Sequence, residues 1–160
     1  MASLIVRRRS GEVHTVLFDD ADAKLVMSHS WYVRIQNKNE FTKYYAVTNW
    51  PLPDGTRTKM HMHTLLMGAP YVDHVNHDGL DNRRANLRVG TQSQNLGNMR
   101  PRGGASKYKG VSRSDGKWMA RIQVAGKRKN LGRFATEEDA ARAYDEAALA
   151  AWGEFALLNF

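Results

Sequence analysis

Over the first sixty residues, apolar and aromatic side chains come in short runs separated by turn formers. Trp31-Tyr32-Val33-Arg34-Ile35 and Tyr44-Tyr45-Ala46-Val47-Thr48 are rich in aromatic and β-branched residues with partial alternation, which is a strand pattern. Pro53-Asp54-Gly55 marks a turn into a third extended stretch, Thr58 to Met62. A short helix is expected around Asp20–Ser28. These elements predict a small scaffold sheet without a catalytic constellation of its own. Farther on, Tyr71-Val72 reads as a short apolar strand that delivers Asp73 and His74. A polar loop follows, and Asn86-Leu87-Arg88-Val89 reads as the return strand. Thr91 suits the N-cap of a helix running to about Asn98, with Asn95 one turn into it.

A different pattern begins after residue 106. Trp118, Ala120 and Ile122 alternate with Met119, Arg121 and Gln123, so one strand face is apolar and the other polar. Lys127-Arg128-Lys129-Asn130-Leu131 is the next strand after a turn at Gly126. Thr136 then precedes three acids, a helix start whose dipole favours negative charge. Ala140, Ala143, Tyr144, Ala147 and Ala151 follow at helical spacing, and Gly153 stands at a C-cap position. So many alanines imply a helix lying close against a sheet. The run Arg100-Pro101-Arg102-Gly103-Gly104-Ala105-Ser106 separates the two patterns. The expected division is residues 1–100, a linker at 101–105, and residues 106–160.

Charge sharpens this division. The chain carries a formal +8. Residues 100–133 hold 11 Lys/Arg and a single acid, Asp115, whereas residues 134–160 hold one Arg and six acids. So concentrated a basic stretch, lying on the strand pattern, points to a nucleic-acid partner. Charge alone would also suit an anionic membrane, but with the strand pattern no membrane partner is expected, and no apolar run approaches the roughly 20 residues of a membrane helix. The N-terminal Met-Ala-Ser-Leu-Ile-Val-Arg-Arg-Arg places apolar residues before basic ones, the reverse of a secretion signal. The absence of cysteine excludes disulfides, thiol nucleophiles and cysteine-bound zinc, and is compatible with a cytosolic compartment.

Cutting a phosphodiester needs a group that activates water and a cation that neutralises charge on the phosphate. Histidine, with an ordinary pKa of roughly 6.5, suits the first task. A carboxylate with amide oxygens suits a hard divalent ion. Asp73 and His74 are adjacent, so a regular strand turns their side chains to opposite faces. By itself such a pair is incidental in most proteins.

The wider segment adds weight. His63 before a short apolar stretch, Val72-Asp73-His74, Asp81-Asn82-Arg83, Asn86-Leu87-Arg88 and Thr91 through Asn95 together resemble the HNH endonucleases, in particular their homing-type branch from phages and mobile introns. The resemblance implies a ββα-metal motif over about residues 71–99. It implies His74 as general base, Asp73 and Asn95 as metal ligands, and Asn86 as the middle asparagine that bridges the hairpin loop and holds His74. The implied metal is magnesium, with manganese as the alternative; neither a structural zinc nor a small-molecule cofactor is expected. His77 reads as a solvated loop residue, with a phosphate contact or auxiliary ligation as alternatives. His61 and His63 flank Met62 and are expected on one strand face, His63 packed rather than part of the site. Asn82 reads as an Asx-type loop former rather than a ligand. Arg83 and Arg84 are expected at phosphate, a solvated role being the alternative.

Residues Ser106–Phe160 resemble the Apetala-two/ethylene-response-factor DNA-binding domain. The matching residues are Tyr108-Lys109-Gly110-Val111, Gly116-Lys117-Trp118, Leu131-Gly132-Arg133-Phe134, Glu138 through Asp145, Ala147-Ala148 and Leu158-Asn159-Phe160. The implied fold is a three-stranded antiparallel sheet backed by one helix, with the sheet entering the major groove. Lys109, Arg113, Lys117, Met119, Arg121, Gln123, Lys127, Arg128 and Asn130 are the expected DNA-side residues. Arginine can fork onto guanine and glutamine onto adenine, whereas lysine mainly supplies phosphate attraction.

The expected fold class is therefore α+β: a small N-terminal sheet with a ββα-metal motif, then a three-stranded sheet on one helix. The expected function is metal-dependent DNA endonuclease, acting on double-stranded DNA in the cytosol, by default as a monomer. The alternative is a catalytically inactive DNA-binding regulator or accessory protein.

Overall fold

A computed structural model describes residues 1–38, 41–100 and 104–160. The chain is α+β and divides into two compact units, Met1–Gly90 and Thr91–Phe160. Most of the linker expected at 101–105 lies outside the described residues. No helix among the described residues is long and apolar enough to cross a membrane.

The first unit opens with a hairpin that the sequence reading did not single out, β1 (Ala2–Arg7) and β2 (Val13–Phe18). Alternation sends Val6, Val16 and Phe18 into the core and leaves Ile5 and Val13 in solvent. A 3-10 turn at Asp20–Asp22 and helix α1 (Ala23–Met27) occupy the expected helical stretch. Strands β3 (Tyr32–Lys38), β4 (Phe41–Pro51) and β5 (Arg57–His61) form an antiparallel meander. The predicted turn joins β4 to β5: Leu52 N–H donates to Thr56 O at 2.8 Å, and Asp54 Oδ1 accepts from Thr56 N at 2.9 Å. One expectation needs correction. The chain leaves the strand after His61 and forms helix α2 (Met62–Met67), because Met62 and Leu66, four residues apart, share a buried face.

A short hairpin follows, β6 (Val72–His74) with β7 (Leu87–Val89), in register Asp73 to Arg88 and His74 to Leu87. Its long loop is fastened to β2, since Leu17 N donates to Leu80 O at 2.9 Å and Asn82 N donates to Leu17 O at 2.8 Å. Val6, Val16, Phe18, Val26, Val33, Ala46, Met62, Leu66 and Leu80 make one core under these elements.

The second unit begins with helix α3 (Gln92–Gly97), ten residues ahead of the division expected from sequence. Thr91 and Gln94 close it with a reciprocal capping box, Gln94 N to Thr91 Oγ1 at 3.2 Å and Thr91 N to Gln94 Oε1 at 2.7 Å. Strands β8 (Val111–Ser114), β9 (Lys117–Val124) and β10 (Lys127–Phe134) form an antiparallel sheet with β9 central. Helix α4 (Glu137–Trp152) is N-capped by Thr136, whose Oγ1 accepts from Asp139 N at 3.1 Å, and it ends at Gly153. Ala140, Ala141 and Ala148 are buried completely, so the helix lies close to the sheet. Tyr144, Ala148, Trp152, Phe155 and Ile122 form the core. Gly110, with φ of 76°, passes directly beneath the Tyr144 ring, where a side chain would collide.

Candidate functional site

The β6–β7 loop of the first unit is built from short polar side chains that bond its own backbone. Asn86 is its centre: Oδ1 accepts from Asn76 N at 3.0 Å, and Nδ2 donates to Asn76 Oδ1 at 3.0 Å and Asp81 O at 2.8 Å. Its carbonyl also accepts from Val75 N at 3.0 Å. Asn76 Oδ1 in turn accepts from Asp78 N at 2.8 Å, and Asp78 Oδ1 accepts from Leu80 N at 2.9 Å. The loop thereby holds its shape largely by polar bonds, with Leu80 as its buried apolar anchor. His77 adopts a left-handed φ of 63°, a conformation glycine usually takes, and its N–H donates to His74 O at 3.1 Å.

His74 lies at the start of this loop, only 6% exposed. Its Nε2 stands 3.4 Å from Oδ1 of Asn82, which is completely buried. Asn82 therefore faces the imidazole, and the Asx turns expected of it are made by Asn76, Asp78 and Asp81 instead. The far wall comes from elements remote in sequence. The His63 ring, in the first turn of α2, meets His74 edge-on at 4.8 Å between centroids. His61 stacks on His63 at 5.1 Å, although the two sit on a strand end and a helix rather than on one strand. Tyr45 of β4 lies within 6.1 Å of all three imidazoles.

Burial controls the charge here. Burial lowers the pKa of His74 below the ordinary histidine value, opposed by the Asn82 bond and by Asp73, Asp78 and Asp81. Burial, reinforced by the neighbouring histidines, pushes His63 down to about 3. The cluster is thus neutral near pH 7 and presents lone pairs, not cations. Nδ1 of His63 is buried without a hydrogen-bond partner.

Asp73 points to the opposite face of the strand from His74, as alternation requires, and meets its register partner. Arg88 Nη2 and Nε donate to Asp73 Oδ2 at 2.9 and 3.1 Å. Arg83 and Arg84 are engaged within the unit. Arg83 forks onto the buried Asp81 at 2.6 and 2.7 Å, and Arg84 onto the buried Asp22 at 2.8 and 3.0 Å. The Arg83 guanidinium holds the Asp81 carboxyl below the usual range. The Arg83–Asp81 pair braces the loop within itself, whereas Arg84 pins it to Asp22 and to the Leu66 carbonyl; both arginine side chains stay partly exposed.

Among the described residues no three His, Asp or Glu side chains stand together as a metal cage. The expected donors are of the hard type, the Asp73 carboxylate and the Asn95 amide. Asn95 belongs to the second unit, where its Oδ1 is buried without a hydrogen-bond partner. An orphaned buried oxygen of this kind fits a cation ligand.

The second unit presents the basic sheet face. Register pairs Arg121 with Asn130 and Gln123 with Arg128, so four exposed polar side chains share one patch. Arg113 pairs with Trp118 and lies over its ring at 5.2 Å, so it projects from the face opposite this patch, contrary to the DNA-side expectation. Lys127 pairs with Val124 and projects from that opposite face too, whereas Lys117 is exposed on the face of the patch. Met119, placed on this face by alternation, is only 3% exposed, and Arg121 Nε contacts its sulfur at 2.7 Å. Lys109 departs from the DNA-side expectation. Its ammonium bonds the carbonyls of Gly97 and Leu96 and lies near the Tyr144 and Trp152 rings, where burial pushes its pKa down to about 8.

The sequence reading missed the participation of Tyr45, His61 and Asn82 around His74 and that of Arg88 at Asp73. Only the Asp73–Arg88 pairing had a sequence signal, the hairpin register.

Comparison with known proteins finds two family matches. Residues 70–96 match the HNH endonuclease family, and residues 106–154 match the AP2 domain. An uncharacterized HNH endonuclease L560 of Acanthamoeba polyphaga mimivirus is 37% identical over 90 residues, 56% of this chain and 46% of that protein. Dehydration-responsive element-binding protein 2E of rice is 50% identical over 62 residues, 37% of this chain and 20% of that protein. The AP2-like ethylene-responsive transcription factor AIL7 of Arabidopsis thaliana is 54% identical over 61 residues, 36% of this chain and 12% of that protein. The chain spans less than half the length of each of these curated relatives. An HNH endonuclease domain and an AP2 DNA-binding domain are both present in it.

Proposed function

We propose that the protein is a metal-dependent DNA endonuclease in which the HNH segment cuts and the AP2 domain holds double-stranded DNA. The observation that carries this reading is His74: buried, neutral, fixed by Asn82 and seated at the root of an Asn86-locked loop, inside the matched segment. If Nε2 carries its proton toward Asn82 Oδ1, Nδ1 is left as the acceptor. In that tautomer Nδ1 takes the proton of a water whose oxygen bonds phosphorus while the bond from phosphorus to the leaving oxygen breaks.

The finer reading is a ββα-metal motif in the chain order β6, β7, α3. Asp73 and, separately, Asn95 are proposed as oxygen donors to a divalent cation, magnesium first and manganese second. The cation would neutralise charge on the phosphate and the leaving oxygen. Asn86 acts by holding the loop that presents His74. Arg121, Gln123, Arg128 and Asn130 are proposed to read or contact bases, with Lys117 at phosphate. Arg113 and Lys127, on the other face, contribute only to the general field.

A second reading, a DNA-binding protein that does not cut, is favoured by one observation: the Asp73 carboxylate already pairs with Arg88. Incubation of supercoiled plasmid with the protein, with and without magnesium, decides. Metal-dependent nicking is expected, and none at any magnesium or manganese concentration would favour the second reading.

A further inference from the structure

Helix α3 carries Asn95, yet it is only six residues long, too short to hold itself in water. Its order must come from what it packs on, and the AP2 core supplies that. Gly97 is buried against Trp152 so tightly that an added Cβ would lie 2.6 Å from the indole Cδ2. Trp152 Nε1 donates to Ser93 Oγ at 3.1 Å, and Ala125 N donates to the same oxygen at 3.3 Å. Leu157 N donates to Gly97 O at 3.1 Å, and the Lys109 ammonium closes the same helix end.

Ser93 and Gly97 are four residues apart and share one face of the helix, the face on Trp152. Asn95 is two residues from each, so it lies roughly 200° round the helix from Ser93. The anchoring side and the amide side of α3 are thus separate. Trp152 falls in the AP2 match and Ser93 in the HNH match, so neither resemblance alone accounts for the joint.

We infer that Trp152, through Ser93 and Gly97, is a positioning residue for Asn95, so that the AP2 domain folds the helix carrying this proposed ligand. The inference rests on the reading of Asn95 as a metal ligand. The AP2 domain then serves cutting in two ways, by holding DNA and by keeping Asn95 in place. These separate experimentally, because the anchoring residues lie off the exposed base-reading patch.

The test uses the full chain with Gly97→Ala and the milder Ser93→Ala. Amide hydrogen exchange, single-turnover cleavage against manganese concentration, and duplex affinity are measured on each. In both variants exchange over residues 92–98 should speed up, about tenfold or more for Gly97→Ala, with segments 72–89 and 127–134 unchanged. The manganese midpoint should rise about threefold or more and the cleavage rate fall about tenfold in Gly97→Ala, with duplex affinity within about twofold. Should Gly97→Ala lose its fold altogether, the local exchange and manganese shift in Ser93→Ala decide. Unchanged exchange over 92–98 in Ser93→Ala would overturn the inference, as would a loss of duplex affinity in step with cleavage. The exchange readout stands whether or not the protein cuts. An original chain that cuts nothing would instead overturn the nuclease reading.

Discussion

The β6–β7 loop and the β9–β10 face are both polar, yet they use polarity in opposite ways. In the loop, Asn76, Asp78, Asp81 and Asn86 bond one another and the backbone, and the arginines beside them are held by carboxylates. On the sheet face, Arg121, Gln123, Arg128 and Asn130 are exposed. A satisfied network fixes geometry, which a proton transfer needs. An exposed basic face stays available to a polyanion. The same residue types build a rigid frame in one unit and a docking surface in the other.

The comparison is broken hardest at the metal. Chelation should abolish cutting while leaving duplex affinity within about threefold, because the basic face needs no cation. Asp73→Ala should lower single-turnover cleavage by about two orders of magnitude or more, and Asn95→Ala by less, since only Asp73 brings charge. Magnesium titrations of plasmid nicking measure both, and equal rates for Asp73→Ala and the original chain would remove Asp73 from the ligand set.

The next largest effect is expected at the loop's centre. Asn86→Ala removes the acceptor for Asn76 N and both Nδ2 bonds, leaving buried groups unpaired, at a cost of about 2–4 kcal/mol. Urea unfolding followed by a probe in the first unit measures this. A loss within about 0.5 kcal/mol would mean that the network does not hold the loop.

On the sheet face effects should be smaller and selective. Arg121→Ala should cost about 1–3 kcal/mol and relax sequence preference, whereas Lys127→Ala should weaken all duplexes alike and by less. Competition binding with a randomised duplex pool separates the two outcomes, and equal relaxation by both variants would contradict the assignment of faces.

The smallest effect concerns Lys109. Its folded-state pKa of about 8 lies below the ordinary 10.5, so the folded chain releases its proton first. Between those values the unfolded chain binds more protons, and stability should rise with pH. Below about 8 the full cost of burying the charge is present. Comparing the thermal midpoint of Lys109→Met with the original across pH 7.5–10 should show the difference narrowing or inverting in that window. A constant difference would show that Lys109 does not titrate there.

These contrasts also explain what the sequence could tell. The polar face of the sheet follows from alternation over adjacent residues, Trp118 to Gln123, and could be read locally; so could the Thr136 cap and the turn at Asp54. Met119 shows the limit, because its cover comes from neighbouring side chains rather than from strand period. The surroundings of His74 come from β4, β5 and α2, and no local pattern announces that Tyr45, His61 and His63 converge there. Lys109 misled for a related reason. Its neighbours in sequence are basic, but its ammonium is claimed by helix carbonyls about a dozen residues upstream. The N-terminal hairpin was not legible, because Leu4-Ile5-Val6 and Val16-Leu17-Phe18 are continuous apolar runs that do not show which residues face the core, and Ile5 is exposed.

The division of labour between the two units is tested most directly by measuring, on one duplex, the affinity and the saturating single-turnover cleavage rate of His74→Ala and of Arg121→Ala combined with Arg128→Ala. His74→Ala should keep its affinity within about twofold and lose about 10²–10⁴ in rate. The double-arginine variant should lose affinity and, once saturated, cut at nearly the original rate. Cleavage by His74→Ala at the original rate, in the same magnesium buffer, would contradict the central claim.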